Sequence, residues 1–161
     1  MNRKRMIAML LASMAIATLL VLGSAPANVR GQNAKTLNQL IGTWQVTVMP
    51  EGGGAIVDYA SFAEGGSMTN IDPDPGLSAG LGTWERVGPN TFANTFVHFL
   101  NDHGTPLGIL KVNAVVTYDP TTATFNGPFR TDVMIGGEVV QSVCGTVQLQ
   151  RVGVEPLEAC P

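Results

Sequence analysis

Ile41-Gly42-Thr43-Trp44 and Leu81-Gly82-Thr83-Trp84 are one short motif placed twice in the chain, and each copy opens a run of β-forming residues. From Ile41 onward helical periodicity disappears. The alternation of apolar and polar residues predicts strands over Thr43–Met49, Ala55–Ala63, Ser67–Ile71, Gly80–Val87, Thr91–Leu100, Leu107–Asp119, Thr122–Met134 and Glu138–Gln150. The breaks between them carry turn chemistry, as in Pro50-Glu51-Gly52-Gly53-Gly54, Asp72-Pro73-Asp74-Pro75-Gly76 and Ile135-Gly136-Gly137. Beyond the shared tetrapeptide the two copies diverge at once, Gln45-Val46-Thr47-Val48 against Glu85-Arg86-Val87-Gly88. They read as two strand openers, not as a duplicated half.

Eight strands joined by short turns leave no room for crossover helices, so the sheet is expected to be antiparallel and up-and-down. A sheet of that length tends to close on itself, because closure abolishes its edges. The predicted fold is an all-β, eight-stranded barrel whose interior is just wide enough for side chains or one small ligand. A β-sandwich is the alternative that composition does not separate from it.

Upstream, Asn2-Arg3-Lys4-Arg5 precedes an unbroken apolar stretch from Met6 to Leu22, and Ala25-x-Ala27 follows. A basic start, an apolar core and a small-residue exit predict a signal peptide over 1–27, cleaved after Ala27, and a secreted or periplasmic protein. The apolar core falls slightly short of the roughly 18–20 residues of a spanning helix. A polar segment over 28–39 would lead into a barrel domain over 40–152, with a tail over 153–161. Within the lead-in, Thr36 to Leu40 is expected to form one helical turn.

The leader holds three of the nine basic residues (Arg3, Lys4, Arg5) and none of the twelve acidic ones, so the mature chain would carry a net charge of −6 with His neutral. That balance offers no electrostatic footprint for nucleic acid and no basic patch for an anionic membrane. The expected partner is a small hydrophobic ligand. Both cysteines, Cys144 and Cys160, lie downstream of the leader. In an exported protein an even pair favours a disulfide, here one that would fasten the tail to the barrel wall.

Candidate site residues are polar side chains within otherwise apolar, inward-facing rows. The fifth strand gives the clearest row: Phe92, Asn94, Phe96, His98 and Leu100 share one face. In the second, Asp58 lies among Ile56, Ala60 and Phe62, either at an exposed barrel end or buried with a partner. A meeting of Asp58 with His98 would make an acid–base pair. The sixth strand presents Leu110, Val112, Ala114, Val116 and Tyr118; the seventh presents Phe125, Phe129, Thr131 and Val133, with Asn126, Arg130 and Asp132 facing out. The eighth places Gln141 between Val139 and Val143. The expected lining for a ligand is therefore Trp44, Phe92, Asn94, Phe96, His98, Tyr118, Phe129 and Gln141, an apolar wall with scattered polar groups.

Nucleophile-elbow, zinc-protease, phosphate-loop and dinucleotide motifs are absent, so no cofactor and no catalytic residue is assigned. His98 and His103 are the only histidines, too few for a histidine-rich metal site. Asp72 and Asp74 read as parts of a rigid proline turn in preference to a weak calcium site.

Leu40-Ile41-Gly42-Thr43-Trp44, the Gly82-Thr83-Trp84-Glu85-Arg86 strand and the Asn90-Thr91-Phe92 hairpin give the stretch from Leu40 to about Val152 a resemblance to bacterial exported lipocalin-like (calycin-type) proteins. The resemblance implies that Trp44 packs across the barrel floor, that Gly42 lets another backbone approach closely, and that an Arg covers the Trp; Arg151 is the candidate. The chain departs from typical lipocalins in lacking a recognisable C-terminal helix. The allene-oxide-cyclase-like barrels are similar in architecture and imply a second reading, an isomerase or cyclase in which Asn94, His98 or Tyr118 orients a substrate carbonyl. A structural domain with a filled core is the third.

Overall fold

The computed structural model describes residues 39–157. The expected leader, most of the polar lead-in and Cys160 lie outside the described residues. Eight strands follow one another without an intervening helix: β1 (Gly42–Pro50), β2 (Ile56–Phe62), β3 (Ser67–Ile71), β4 (Gly80–Arg86), β5 (Thr91–Asp102), β6 (Thr105–Asp119), β7 (Thr124–Ile135) and β8 (Glu138–Arg151). Each pairs antiparallel with its sequence neighbour, and β1 also pairs with β8, so the sheet is a closed up-and-down barrel and not a sandwich. Closure runs through Val46, which lies opposite Asp58 on one side and Leu149 on the other.

The strand ends shift from the sequence-based bounds for local reasons. The β5–β6 hairpin turns on two residues with positive φ, His103 (48°) and Gly104 (84°), so both strands run further toward the turn than the composition suggests. At the opposite end of the hairpin series, β7 begins at Thr124, after Ala123 adopts a positive φ of 54°.

Odd-numbered turns and even-numbered turns lie at opposite ends of the barrel, and the two ends are built differently. The end where β1 begins is packed with aromatic rings. Trp44 meets Phe125 edge-on at 5.0 Å; Phe125 meets Phe92 at 5.6 Å and Tyr118 at 5.0 Å; Trp84 joins Phe92 at 5.9 Å and Phe62 at 6.3 Å. Each such pair adds about 0.5–1.5 kcal/mol beyond the area it buries. Both indole N–H groups are satisfied inside the protein: Trp44 Nε1 donates to the Leu40 carbonyl at 2.7 Å and Trp84 Nε1 to the Ala63 carbonyl at 3.0 Å.

Arg151 seals this floor. Its guanidinium lies 4.3 Å from the centre of the Trp44 ring and donates to the carbonyls of Ile41 (2.9 Å) and Gln39. Gly42 makes room for it. With φ at 126°, the residue occupies backbone space that side chains avoid, and a Cβ there would run into the guanidinium. The expected floor position of Trp44, and Arg151 as its cover, are thus both present.

Cys144 lies opposite Arg130 on the outer face of the β7–β8 pair, exposed and without a disulfide partner among the described residues. Cys160, the other half of the expected bridge, lies outside them.

Candidate ligand cavity

Above the aromatic floor the interior is hollow. A cavity of about 310 Å³ is lined by residues from seven of the eight strands, β4 excepted. In β1 the lining residues are Val46, Val48 and Pro50, successive inward positions running away from Trp44. The same alternation brings Asp58 and Ala60 from β2, Met68 and Asn70 from β3, Asn94, Phe96 and His98 from β5, Val112 and Ala114 from β6, and Phe129 and Thr131 from β7. Small side chains create the space: Ala60 and Ala114 stand at levels where the floor has rings.

Of the expected ligand contacts, Asn94, Phe96, His98 and Phe129 line this cavity. Four do not. Trp44 and Phe92 are buried in the floor beneath it, and Tyr118 is half-buried against Phe125 at the same level. Gln141 has the inward parity, but it sits where the pairing of β7 and β8 shifts register, between Val133 and Met134, and its side chain is exposed near the barrel end. The outward assignment of Arg130 and Asp132 holds. Arg130 Nε donates to the Asp132 carboxylate at 2.8 Å, and this guanidinium and Ser142 hold the Asp132 carboxyl below its ordinary range.

The polar residues of the cavity are deeply buried: Asp58 is 5% exposed, Asn70 2%, Asn94 8% and His98 2%. Asp58 and Asn70 form a pair across β2 and β3, with Asn70 Nδ2 donating to Asp58 Oδ2 at 3.1 Å. The other oxygen of each, Asp58 Oδ1 and Asn70 Oδ1, is buried and has no hydrogen-bond partner among the described residues. Burial pushes the Asp58 carboxyl up from 3.8 to about 6; the Asn70 hydrogen bond opposes this and the charge of Asp72 adds to it.

His98 does not meet Asp58. Its Nδ1 lies 2.6 Å from the Ser78 carbonyl, an acceptor, so Nδ1 carries the proton. Ser78 belongs to the loop between β3 and β4, and that loop is bound to the upper part of β5: Ser78 N–H donates to the Phe99 carbonyl at 3.0 Å, Phe99 N–H to Ser78 Oγ at 2.9 Å, and Asn101 N–H to the Gly76 carbonyl at 2.7 Å. The Asp-Pro-Asp-Pro-Gly segment is the rigid turn expected. Asp72 accepts the N–H of Asp74, and Asp74 that of Gly76, both at 2.8 Å.

Asn70 was not legible as a site residue. In Ser67–Ile71 the apolar residues Met68 and Ile71 have opposite parity, so the short strand offers two readings of its inner face. The pairing of Asn70 with Ala60 settles it, turning Met68 and Asn70 inward and leaving Ile71 63% exposed.

Neither a family model nor a curated protein matches the chain. Among solved structures it is similar to EF1p2_mFAP2b bound to DFHBI, with a TM-score of 0.56 and 21% identity over 74% of this chain and 98% of that one. It is also similar to mFAP1, a redesigned β-barrel bound to DFHBI, with a TM-score of 0.49 and 21% identity over 72% of this chain and 98% of that one. The first of these likenesses bears on the fold: an eight-stranded, all-antiparallel closed barrel.

Proposed function

We propose that this chain is an exported binding protein that holds one small, mainly apolar molecule inside its barrel. The observation that carries the reading is the 310 Å³ space itself, walled by Val, Ala, Met and Phe side chains directly above a tightly packed floor. Protein interiors leave few voids larger than a water molecule, because the atoms around a void lose their dispersion contacts. This sequence fills one half of its barrel with rings and places alanine and valine in the other. The leader-like Met1–Ala27 segment, with its Ala25-x-Ala27 exit, supports export.

Binding is favoured over an isomerase or cyclase by the partners of the two titratable groups at the cavity. Asp58 is hydrogen-bonded to Asn70, and His98 to a backbone carbonyl, so the two do not form the pair that proton transfer would use. EF1p2_mFAP2b, a barrel of the same fold, is bound to DFHBI; a shared fold supplies the container and not the identity of its contents.

Native mass spectrometry of the protein purified from its own host, followed by organic extraction, tests the proposal. A stoichiometric apolar compound is the expected result. A protein that emerges empty and also fails to take up a neutral apolar dye such as N-phenyl-1-naphthylamine would contradict it.

A further inference from the structure

The walls of the cavity are mainly apolar, and the two buried polar atoms of its lining that have no partner among the described residues are both acceptors. Asp58 Oδ1 and Asn70 Oδ1 are acceptors, buried and unpartnered among the described residues. They belong to side chains already joined to each other by the 3.1 Å bond from Asn70 Nδ2 to Asp58 Oδ2; that bond engages the amide nitrogen through one of its two N–H groups and leaves two acceptor oxygens on the same spot. His98, on β5, turns Nδ1 to the Ser78 carbonyl at 2.6 Å, so that this nitrogen's donor is spent on the backbone and is not offered to the two oxygens. Two carboxylates, Asp58 and Asp72, border the space, and among the described residues that line it there is no Lys or Arg.

Buried acceptors without donors are costly, and a buried carboxylate without a counter-charge more so. Water relieves the first cost in part and the second poorly. A ligand that brings donors and positive charge relieves both. We infer that the ligand is a lipophilic amine whose apolar body fills the space between Val46, Ala60, Ala114 and Phe129 and whose ammonium group is held by Asp58 and Asn70. An ammonium has three donors and no acceptor, the complement of this cluster. A fatty acid, the other common kind of amphiphile, would set its carboxylate against Asp58 and Asp72 and find no cation in the lining. Asn94, buried on β5 with both amide functions, serves either kind of polar group and does not discriminate.

The inference rests on the binding reading above, and one titration series separates their failures. Octylamine, octanol and octanoate share an apolar chain and differ in the head group, so calorimetric titration of the full mature protein with each isolates the head-group preference. The expected order is octylamine tightest, by roughly tenfold or more over octanol, with octanoate weakest, since a charge-assisted hydrogen bond exceeds a neutral one by 1 kcal/mol or more. In Asp58→Asn the preference for octylamine over octanol is expected to collapse to within about threefold. Asn70→Ala is expected to weaken octylamine more than octanol and provides the second variant if the first does not fold.

If octanol binds but octylamine gains nothing over it, or octanoate binds best, the amine assignment is overturned and the container stands. An amine preference that survives in a folded Asp58→Asn also overturns it. If none of the three binds, the binding reading itself has failed.

Discussion

The two halves of this barrel are made from the same alternating strands and differ in what the inward positions hold. Below, Trp44, Trp84, Phe92 and Phe125 interlock edge to face, every indole N–H has a partner, and Arg151 covers the outside. Above, aliphatic residues and alanines leave a space, and four polar side chains are buried around it, two of which, Asp58 and Asn70, each have an acceptor oxygen unpaired among the described residues. In the lower half Gln39 Oε1 is the one side-chain polar atom buried without a partner among the described residues. The upper half holds the space in which the proposed binding would take place, whereas the packed rings of the lower half supply stability.

The contrast makes the effects of substitutions differ in size and in sign. The largest loss is expected in the floor: Phe125→Ala removes a fully buried ring that touches Trp44, Phe92 and Tyr118, and denaturant unfolding should show a loss of about 3–5 kcal/mol. In the cavity half a polar substitution should do the opposite. The Asp58 carboxyl is pushed from 3.8 to about 6, so between those values the folded protein holds a proton that the unfolded chain has released. Stability therefore falls as pH rises through that window and stays lower above it. Asp58→Asn abolishes this dependence and should stabilise the protein at about pH 8 by up to ~3 kcal/mol, with little gain near pH 4. Urea unfolding of both proteins at the two pH values measures it, and a wild type whose stability is flat across the window would erase the distinction between the halves.

Smaller effects sharpen the same comparison. Arg151→Met keeps much of the packing on Trp44 but loses the cation above the ring and the donors to the Ile41 and Gln39 carbonyls; the expected loss is about 1–3 kcal/mol in thermal unfolding. On the outer wall, Arg130→Ala breaks an exposed ion pair with Asp132 and should change stability by less than about 1 kcal/mol. A large effect there would mean that the outer face carries more of the stability than the floor-and-cavity division allows.

Much of this architecture was legible in the chain. Period-two alternation and glycine-rich turns gave eight strands whose ends moved by two residues or fewer, and Asn94, Phe96, His98 and Phe129 face inward, as their parity implies, and line the cavity. What alternation does not encode is depth along the barrel axis. Trp44, Phe92 and Tyr118 face inward as expected yet lie at or beneath the level where the space ends, and Gln141 faces inward by parity yet lies near the rim. Depth depends on register between strands, which is a property of pairs. The same limit hid Asn70, whose role follows from lying beside Ala60 and reaching Asp58, neither of which Ser67–Ile71 announces alone.

Titration of N-phenyl-1-naphthylamine fluorescence against the wild type and Ala114→Phe tests most directly whether the upper half is a container. Ala114 lines the cavity, is 8% exposed and lies opposite Phe129, so a benzyl group there occupies the space while the floor is untouched. Saturable one-to-one binding to the wild type, lost in an Ala114→Phe protein that remains folded, is the expected result. Equal binding by both proteins would place the dye elsewhere and contradict an interior site.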